Sequence, residues 1–265
     1  MLFRSGGSTS GGSIAQGYTN NTSVELYDPA NNAWSAAAPM LVARAHHTAT
    51  LLANGKVLVT GGEDAQYLPV ATAEVYDPVA NTWTATALPM ATARSTQSAT
   101  LLPNGLVLVA GGYDIVRGAF TPLTAAELYD PALGTFSAAR ASAAAHAGHS
   151  ATLLANGLVL VAAGGTRASE LYDPATGLWH ATVTLVSTRS GDAAILLPTA
   201  KVLAAGGTQS APNAEIYDAL ANTWTAAASM SINRVSPIAA LLPDGSALVC
   251  GGAADAASTS CEIYW

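Results

Sequence analysis

Two series of residues in this chain have the types and spacing that chemistry needs. The first is cationic. Arg44, Arg94, His146, Arg189 and Arg234 each stand seven residues ahead of a Leu-Leu pair. Were the repeats closed into a ring, these side chains could face an anionic ligand at the mouth of a central channel. Alternatively, each could pair with the glutamate of a recurring Glu-x-Tyr phrase. The planar guanidinium fork suits bidentate carboxylate pairing, so the bracing role is the stronger expectation. A histidine at position 146 also weakens an anion ring.

The second series lies three residues further on: His47, Gln97, His149, Asp192 and Pro237. A layer with two histidines suggests a metal, but the Gln97 copy separates the two that carry them. No Cys/His cluster or His-Glu-x-x-His run has ligand spacing. Polar groups lining a wet channel fit better, so neither metal nor cofactor is expected. No serine sits in a nucleophile elbow or beside an evident His/Asp pair. Glu63, Asp64, Asp114 and Asp255 have no assignable partner. Asn20-Asn21-Thr22-Ser23 holds two overlapping glycosylation sequons, a weak signal.

The elements that would position these residues are written by repetition. "LLANGKVLVTGG" at 51–62 returns as "LLPNGLVLVAGG" at 101–112 and "LLANGLVLVAAGG" at 153–165. Looser copies run at 196–207 and 241–252. Glu-x-Tyr begins at Glu25, Glu74, Glu127, Glu170, Glu215 and Glu262, in steps of 49, 53, 43, 45 and 47 residues. Such a period is the mark of a repeat architecture. Each copy holds four short β-like runs: a ("SATLL"), b ("LVLVAGG"), c ("AELYD") and d, which begins near a Trp or Phe. Asn-Gly between a and b supplies positive φ for a tight hairpin. Between c and d, "YDPVANTW" offers a capping Asp, a Pro and a left-handed slot. Asn32, Asn81, Gly134, Gly177 and Asn222 fill that slot.

Four-stranded units of this length repeated around a ring are β-propeller blades. The double glycine after a β run, then Tyr, then Trp resembles the kelch repeat, and the match extends from Gly11 to Tyr264. The chain is therefore expected to be all-β, a single domain over 1–265, with six blades whose terminal ones are incomplete. Five blades is the alternative, and a fragment of a longer protein is a further one. "MLFRSGG" reads as a remnant b strand. Some kelch-like propellers are enzymes, among them galactose oxidase and sugar-acid mutarotases. The oxidase resemblance implies Tyr and His copper ligands on the loops, and that constellation cannot be placed here.

The a–b and c–d turns are short and alike, whereas the b–c connections differ: 63–72, 113–125, 166–169, 208–213 and 253–260. Variable loops on a rigid scaffold carry specificity. The candidates for partner binding are Tyr67, Tyr113, Asp114, Arg117 and Phe120, with Ile115 and Val116 beside them. The expected function is a non-catalytic scaffold presenting this face to a protein or glycan. Rival readings are a carbohydrate-active enzyme with its site in the same funnel, or a structural module of a larger surface protein. A net charge of −7 with two lysines, Lys56 and Lys201, argues against nucleic acid and anionic membranes. No apolar run is long enough to span a bilayer. Residues 1–12 show no signal-peptide pattern. A monomer, secreted or displayed at a cell surface as in bacterial kelch proteins, is expected.

The two cysteines complete the reading. Cys250 precedes a double glycine and Cys261 precedes the last repeat Glu. The equivalent pairs are Thr60 with Ala73, Ala110 with Ala126, Ala163 with Ser169, and Ala205 with Ala214. All are small, as expected of side chains facing one another across strands b and c. A Cys250–Cys261 disulfide is therefore expected.

Overall fold

The fold is seen in a computed structural model that describes residues 2–6, 8–10, 18–207, 213–252 and 258–265. Among these residues every regular element is a β-strand. β-branched and leucine-rich runs bounded by Gly, Asn, Asp and Pro leave no sustained 3.6-residue apolar period for a helix.

The first sheet joins β1 (Leu2–Ser5), β4 (Val24–Asp28) and β5 (Ala33–Ala36), with a small hairpin, β2 (Ser8–Ser10) and β3 (Tyr18–Asn20), inserted between β1 and β4. The second is β6 (Thr48–Leu51), β7 (Val57–Thr60), β8 (Ala73–Asp77) and β9 (Thr82–Ala85). The third is β10 (Ser98–Leu101), β11 (Val107–Ala110), β14 (Ala126–Asp130) and β15 (Thr135–Ala139). A side hairpin, β12 (Tyr113–Val116) with β13 (Ala119–Pro122), stands out from its b–c connection. The fourth is β16 (His149–Leu153), β17 (Val159–Ala163), β18 (Ser169–Asp173) and β19 (Leu178–Ala181). The fifth is β20 (Asp192–Leu196), β21 (Lys201–Gly206), β22 (Ala214–Asp218) and β23 (Thr223–Ala226). The last sheet has three strands, β24 (Ile238–Leu241), β25 (Ala247–Cys250) and β26 (Cys261–Tyr264).

Strand order in the four-stranded sheets is a-b-c-d, the arrangement of a propeller blade. β1 pairs with β4 as b pairs with c elsewhere, so the opening residues are a b strand. Six blades with incomplete terminal ones, or five, were expected. Counted by a–b hairpins among the described residues there are five blades, and the b-c-d sheet of β1, β4 and β5 precedes them.

The chain packs as two compact units: Met1–Leu101 with Gly105–Pro122 and Glu127–Ala138, and Leu102–Asn104 with Leu123–Ala126 and Ala139–Trp265. In the first, Val24, Met40, Val57, Val59, Tyr76 and Trp83 form one core, and Leu52, Leu58, Met90, Val107, Val109 and Tyr129 lie in another. In the second, Leu160, Leu185, Val202, Tyr217 and Trp224 belong to one core, and Leu203, Ala205, Ala214, Ala247 and Val249 to another. Burial of each Val or Leu contributes about 1.5–3 kcal/mol.

The turn slots have the expected geometry. Asn32, Asn81 and Asn222 have φ of 48°, 52° and 50°, and Gly134 and Gly177 have 69°. The double glycine has a steric cause. A Cβ on Gly62 would lie 2.5 Å from the Ala45 carbonyl oxygen of the incoming link. The fourth copy corrects the sequence register. Ser169 faces Ala162, not Ala163. Ala163 takes the first of the two left-handed positions, at φ 71°, and Gly164 takes the crowded second one. The run "VAAGG" is one residue longer than its sisters, which is the signal that was there to be seen.

Candidate functional site

The cationic series is directed into the blades. Arg44 Nε lies 3.0 Å from Glu74 Oε1, and its Nη1 donates to the Gly61 and Thr72 carbonyls at 2.8 and 3.0 Å. Arg94 Nη2 and Arg189 Nη2 each donate to their glutamates, Glu127 and Glu215, at 2.8 Å. Arg234 Nη2 reaches Glu262 at 3.0 Å, and His146 Nε2 reaches Glu170 at 3.0 Å. The four arginines are no more than 1% exposed. Each glutamate also accepts a backbone N–H from the link ahead of it, such as Leu41 to Glu74 and Val186 to Glu215. The pairs tie link, strand b and strand c together, with the hydrogen bonds that let a buried charge persist.

The channel-layer residues differ among themselves. Gln97 donates to the Thr60 carbonyl at 2.7 Å. His47 Nε2 is 2.9 Å from the Ser5 hydroxyl, and burial, with Arg44 and His46, lowers its pKa to about 4. Burial lifts Asp192 to about 6, while Ser150 and Arg189 pull the other way. Its carboxylate oxygens are enclosed. Among the described residues no three His, Cys, Asp or Glu side chains are placed to hold a metal ion.

The variable b–c connections of the first unit form a built site. Glu63, only 8% exposed, exchanges backbone hydrogen bonds with Ala45. Its Oε1 accepts from the Tyr113 hydroxyl at 2.5 Å and from the Ser95 hydroxyl at 3.0 Å. The buried Asn20 amide donates to the Glu63 and Asp64 carbonyls at 3.0 and 2.7 Å. Burial and the Glu63 hydrogen bond push the Tyr113 phenol to about 12, so it remains a donor. Asp64 Oδ1 closes its own turn by accepting from the Gln66 and Leu68 N–H groups. That turn holds Tyr67 at φ 62°, with Tyr67 and Leu68 exposed at its tip.

Residues 113–122 are expected as a loop and instead form the β12–β13 hairpin. Its turn is Arg117-Gly118, at φ 53° and 79°, the left-handed pair that a two-residue hairpin needs. Ile115 faces Phe120 across the ladder, and the Phe120 ring meets Tyr113 edge-on at 5.0 Å. Phe120 is 70% exposed and Val116 is exposed on the opposite face. Asp114 accepts the Ile115 N–H at 2.7 Å. Of the candidates, Tyr67, Arg117 and Phe120 lie at tips, while Tyr113 belongs to the base. The Glu63, Ser95 and Asn20 anchors were not expected from sequence, because their partners come from separate copies. The connections at 208–212 and 253–257, including Asp255, lie outside the described residues.

The second unit carries the Cys250–Cys261 disulfide, between residues directly opposed in the β25–β26 ladder with Cα atoms 4.1 Å apart.

Comparison with known proteins agrees with this architecture. Residues 44–87, which hold the whole β6–β9 sheet and its Arg44–Glu74 pair, match the Kelch motif. A search of curated proteins finds no match to the sequence. Among solved structures, YjhT is similar with a TM-score of 0.73 and 17% identity, over 99% of this chain and 95% of that one. A fungal alcohol oxidase of the AA5 family, solved with copper, is similar with a TM-score of 0.72 and 19% identity. That likeness covers 88% of this chain, which spans only 54% of the oxidase. At these identities the likeness is one of fold. With a Kelch motif at residues 44–87, and similar hairpins, turns and Arg/His–Glu pairs in further copies, the chain is a β-propeller that carries a Kelch motif and is similar in fold to kelch-type propellers.

Proposed function

We propose that this propeller is a non-catalytic binding scaffold whose partner, a protein, docks on the β12–β13 hairpin and the Asp64–Leu68 turn. The observation that carries this reading is the contrast within one small region. Phe120, Val116, Tyr67 and Leu68 are exposed apolar groups, yet they stand on a base held by Glu63, Ser95, Tyr113 and Asn20. Aromatic anchors on a pre-organised base lose little entropy on docking and supply most of the energy of small interfaces. The net charge of −7 and the scarcity of lysine favour a partner with basic character.

We also propose export to an oxidising compartment, a reading supported by the disulfide. Panning of the purified chain against a displayed peptide library, with a glycan array in parallel, tests the binding reading. Phe120→Ser and Val116→Ser should weaken selected protein ligands at least about tenfold while leaving Tm within about 2 °C. Ligands that bind these variants as they bind the wild type would overturn it. Selective binding on the glycan array alone would replace the protein partner with a sugar.

A further inference from the structure

One seam between neighbouring sheets of the first unit is left open. Elsewhere the Tyr of strand c donates to the Asn of its c–d turn: Tyr27 to Asn32 at 2.8 Å, Tyr76 to Asn81 at 2.9 Å and Tyr217 to Asn222 at 3.2 Å. Asn81 Oδ1 also accepts the Ala38 N–H of the preceding link at 2.9 Å, and Trp83 Nε1 donates to the Ala38 carbonyl at 2.8 Å. A carboxamide oxygen and an indole N–H thus close the seam ahead of the β6–β9 sheet.

The next seam, between that sheet and the sheet of β10, β11, β14 and β15, has neither group. Gly134 takes the turn position of the Asn, and Phe136 takes the place of the Trp against Tyr129. Ala87 follows Trp83 by four residues, as Ala38 follows Trp34. Its N–H turns to the Gly134 carbonyl at 3.1 Å. Among the described residues, its own carbonyl has no donor and the Tyr129 hydroxyl has no acceptor. Gly177 makes the same replacement beside Tyr172, but there Trp179 still donates to the Arg140 carbonyl at 2.7 Å. Tyr129 is only 2% exposed, and a buried hydroxyl without a partner is costly. A cleft of about 390 Å³ lies at this seam, lined by Ala87, Tyr129 and Gly134 together with Asn54, Lys56 and Asp77.

We propose that this cleft binds one sugar unit of a neutral saccharide. A sugar hydroxyl both accepts and donates, so it can take the Tyr129 proton while a neighbouring hydroxyl gives one to the Ala87 carbonyl. Those are the two roles that Asn81 and Trp83 fill in the closed seam. Lys56 Nζ, 3.0 Å from Asp77 Oδ2, sets a donor beside an acceptor, which suits a vicinal diol. The two charges balance, so the site favours a neutral ligand. Asn54 Oδ1 accepts the Lys56 N–H at 3.1 Å, which leaves the Asn54 amino group for a further hydroxyl. A single amide group has too few hydrogen-bonding atoms for all these partners, whereas a sugar ring carries hydroxyls on successive carbons. The volume is that of a small-ligand site. No residue of a b–c connection lines it, so the site is separate from the β12–β13 hairpin.

The methyl glycosides of glucose, galactose and mannose are the probes, titrated into the 265-residue chain and followed by calorimetry and amide NMR shifts. Saturable binding of at least one, at millimolar affinity, is expected, with shift changes confined to 54–56, 75–87 and 129–134. Gly134→Asn rebuilds the Tyr76–Asn81 arrangement. The φ of 69° suits Asn, and nothing lies within 4 Å of a Cβ there, so the fold accommodates it. This variant should keep Tm within about 2 °C and bind the glycoside at least about tenfold more weakly. Tyr129→Phe should weaken binding similarly and leave Tm unchanged, because the hydroxyl has no protein partner to lose. Absence of saturable binding by all the glycosides would overturn the proposal. So would equal affinity in Gly134→Asn, or shift changes centred on the β12–β13 hairpin.

Discussion

The blades β20–β23 and β24–β26 are built from the same a, b and c strands and differ in what lies outside them. The first has strand d. Trp224 packs on Tyr217 and donates to the Ser169 hydroxyl at 3.0 Å, and Glu215 is sealed against Arg189. The second lacks that strand among the described residues, leaves Glu262 partly wet, and carries the Cys250–Cys261 bond between strands b and c. The difference separates two jobs in a propeller blade. Strands a to c with the Arg–Glu pair set the geometry, whereas strand d excludes water from it.

The largest effect should come from removing the acid in the sealed blade. Glu215→Ala strands a buried guanidinium and should cost about 3–5 kcal/mol in urea unfolding. Glu262→Ala should cost clearly less, because water already reaches that pair. Equal losses would break the comparison. Next, Trp224→Ala should make the β20–β23 blade resemble the last, costing about 3 kcal/mol. Hydrogen exchange should then show faster opening of β22 and β23. Replacing both Cys250 and Cys261 with Ala should cost about 2–3 kcal/mol, since the bond closes a short loop in the unfolded chain. Faster exchange should be confined to β24–β26, and an effect spread evenly over the chain would refute a local staple.

The smallest effect is also the one that depends on pH. Asp192 begins strand β20, whereas Pro237 holds the equivalent place ahead of β24. The folded pKa of Asp192 is raised to about 6 by burial, above its ordinary 3.8. Ionising it therefore opposes folding: the cost grows as pH rises from about 4 to about 6 and levels off above that. Asp192→Asn should be more stable than wild type by about 1–3 kcal/mol at pH 7.5, and the gap should close towards pH 4. Urea titrations at both pH values check this. A gap independent of pH would mean that the carboxylate is not held in a dry site.

The partition between sequence and structure follows the same division of labour. Repetition made the blades legible, because each turn reuses one solution. Asn or Gly fills each left-handed c–d slot, Asn-Gly closes most of the a–b hairpins, and a double glycine sits where a link passes 2.5 Å from a Cβ position. Local steric rules decide these features, and the sequence states them directly. It also placed Cys250 opposite Cys261, since strand register is set by the same repeat. The Ala162–Ser169 register was misjudged because one extra alanine shifts the count, and only the ladder shows which residue bears the left-handed turn. Likewise, Tyr113 reads as a loop aromatic until Glu63, fifty residues earlier, is found holding its hydroxyl. Side chains that meet across copies carry no periodic signal. Their pairing is a product of how the sheets pack, so the Glu63–Ser95–Tyr113 cluster had to be found in three dimensions.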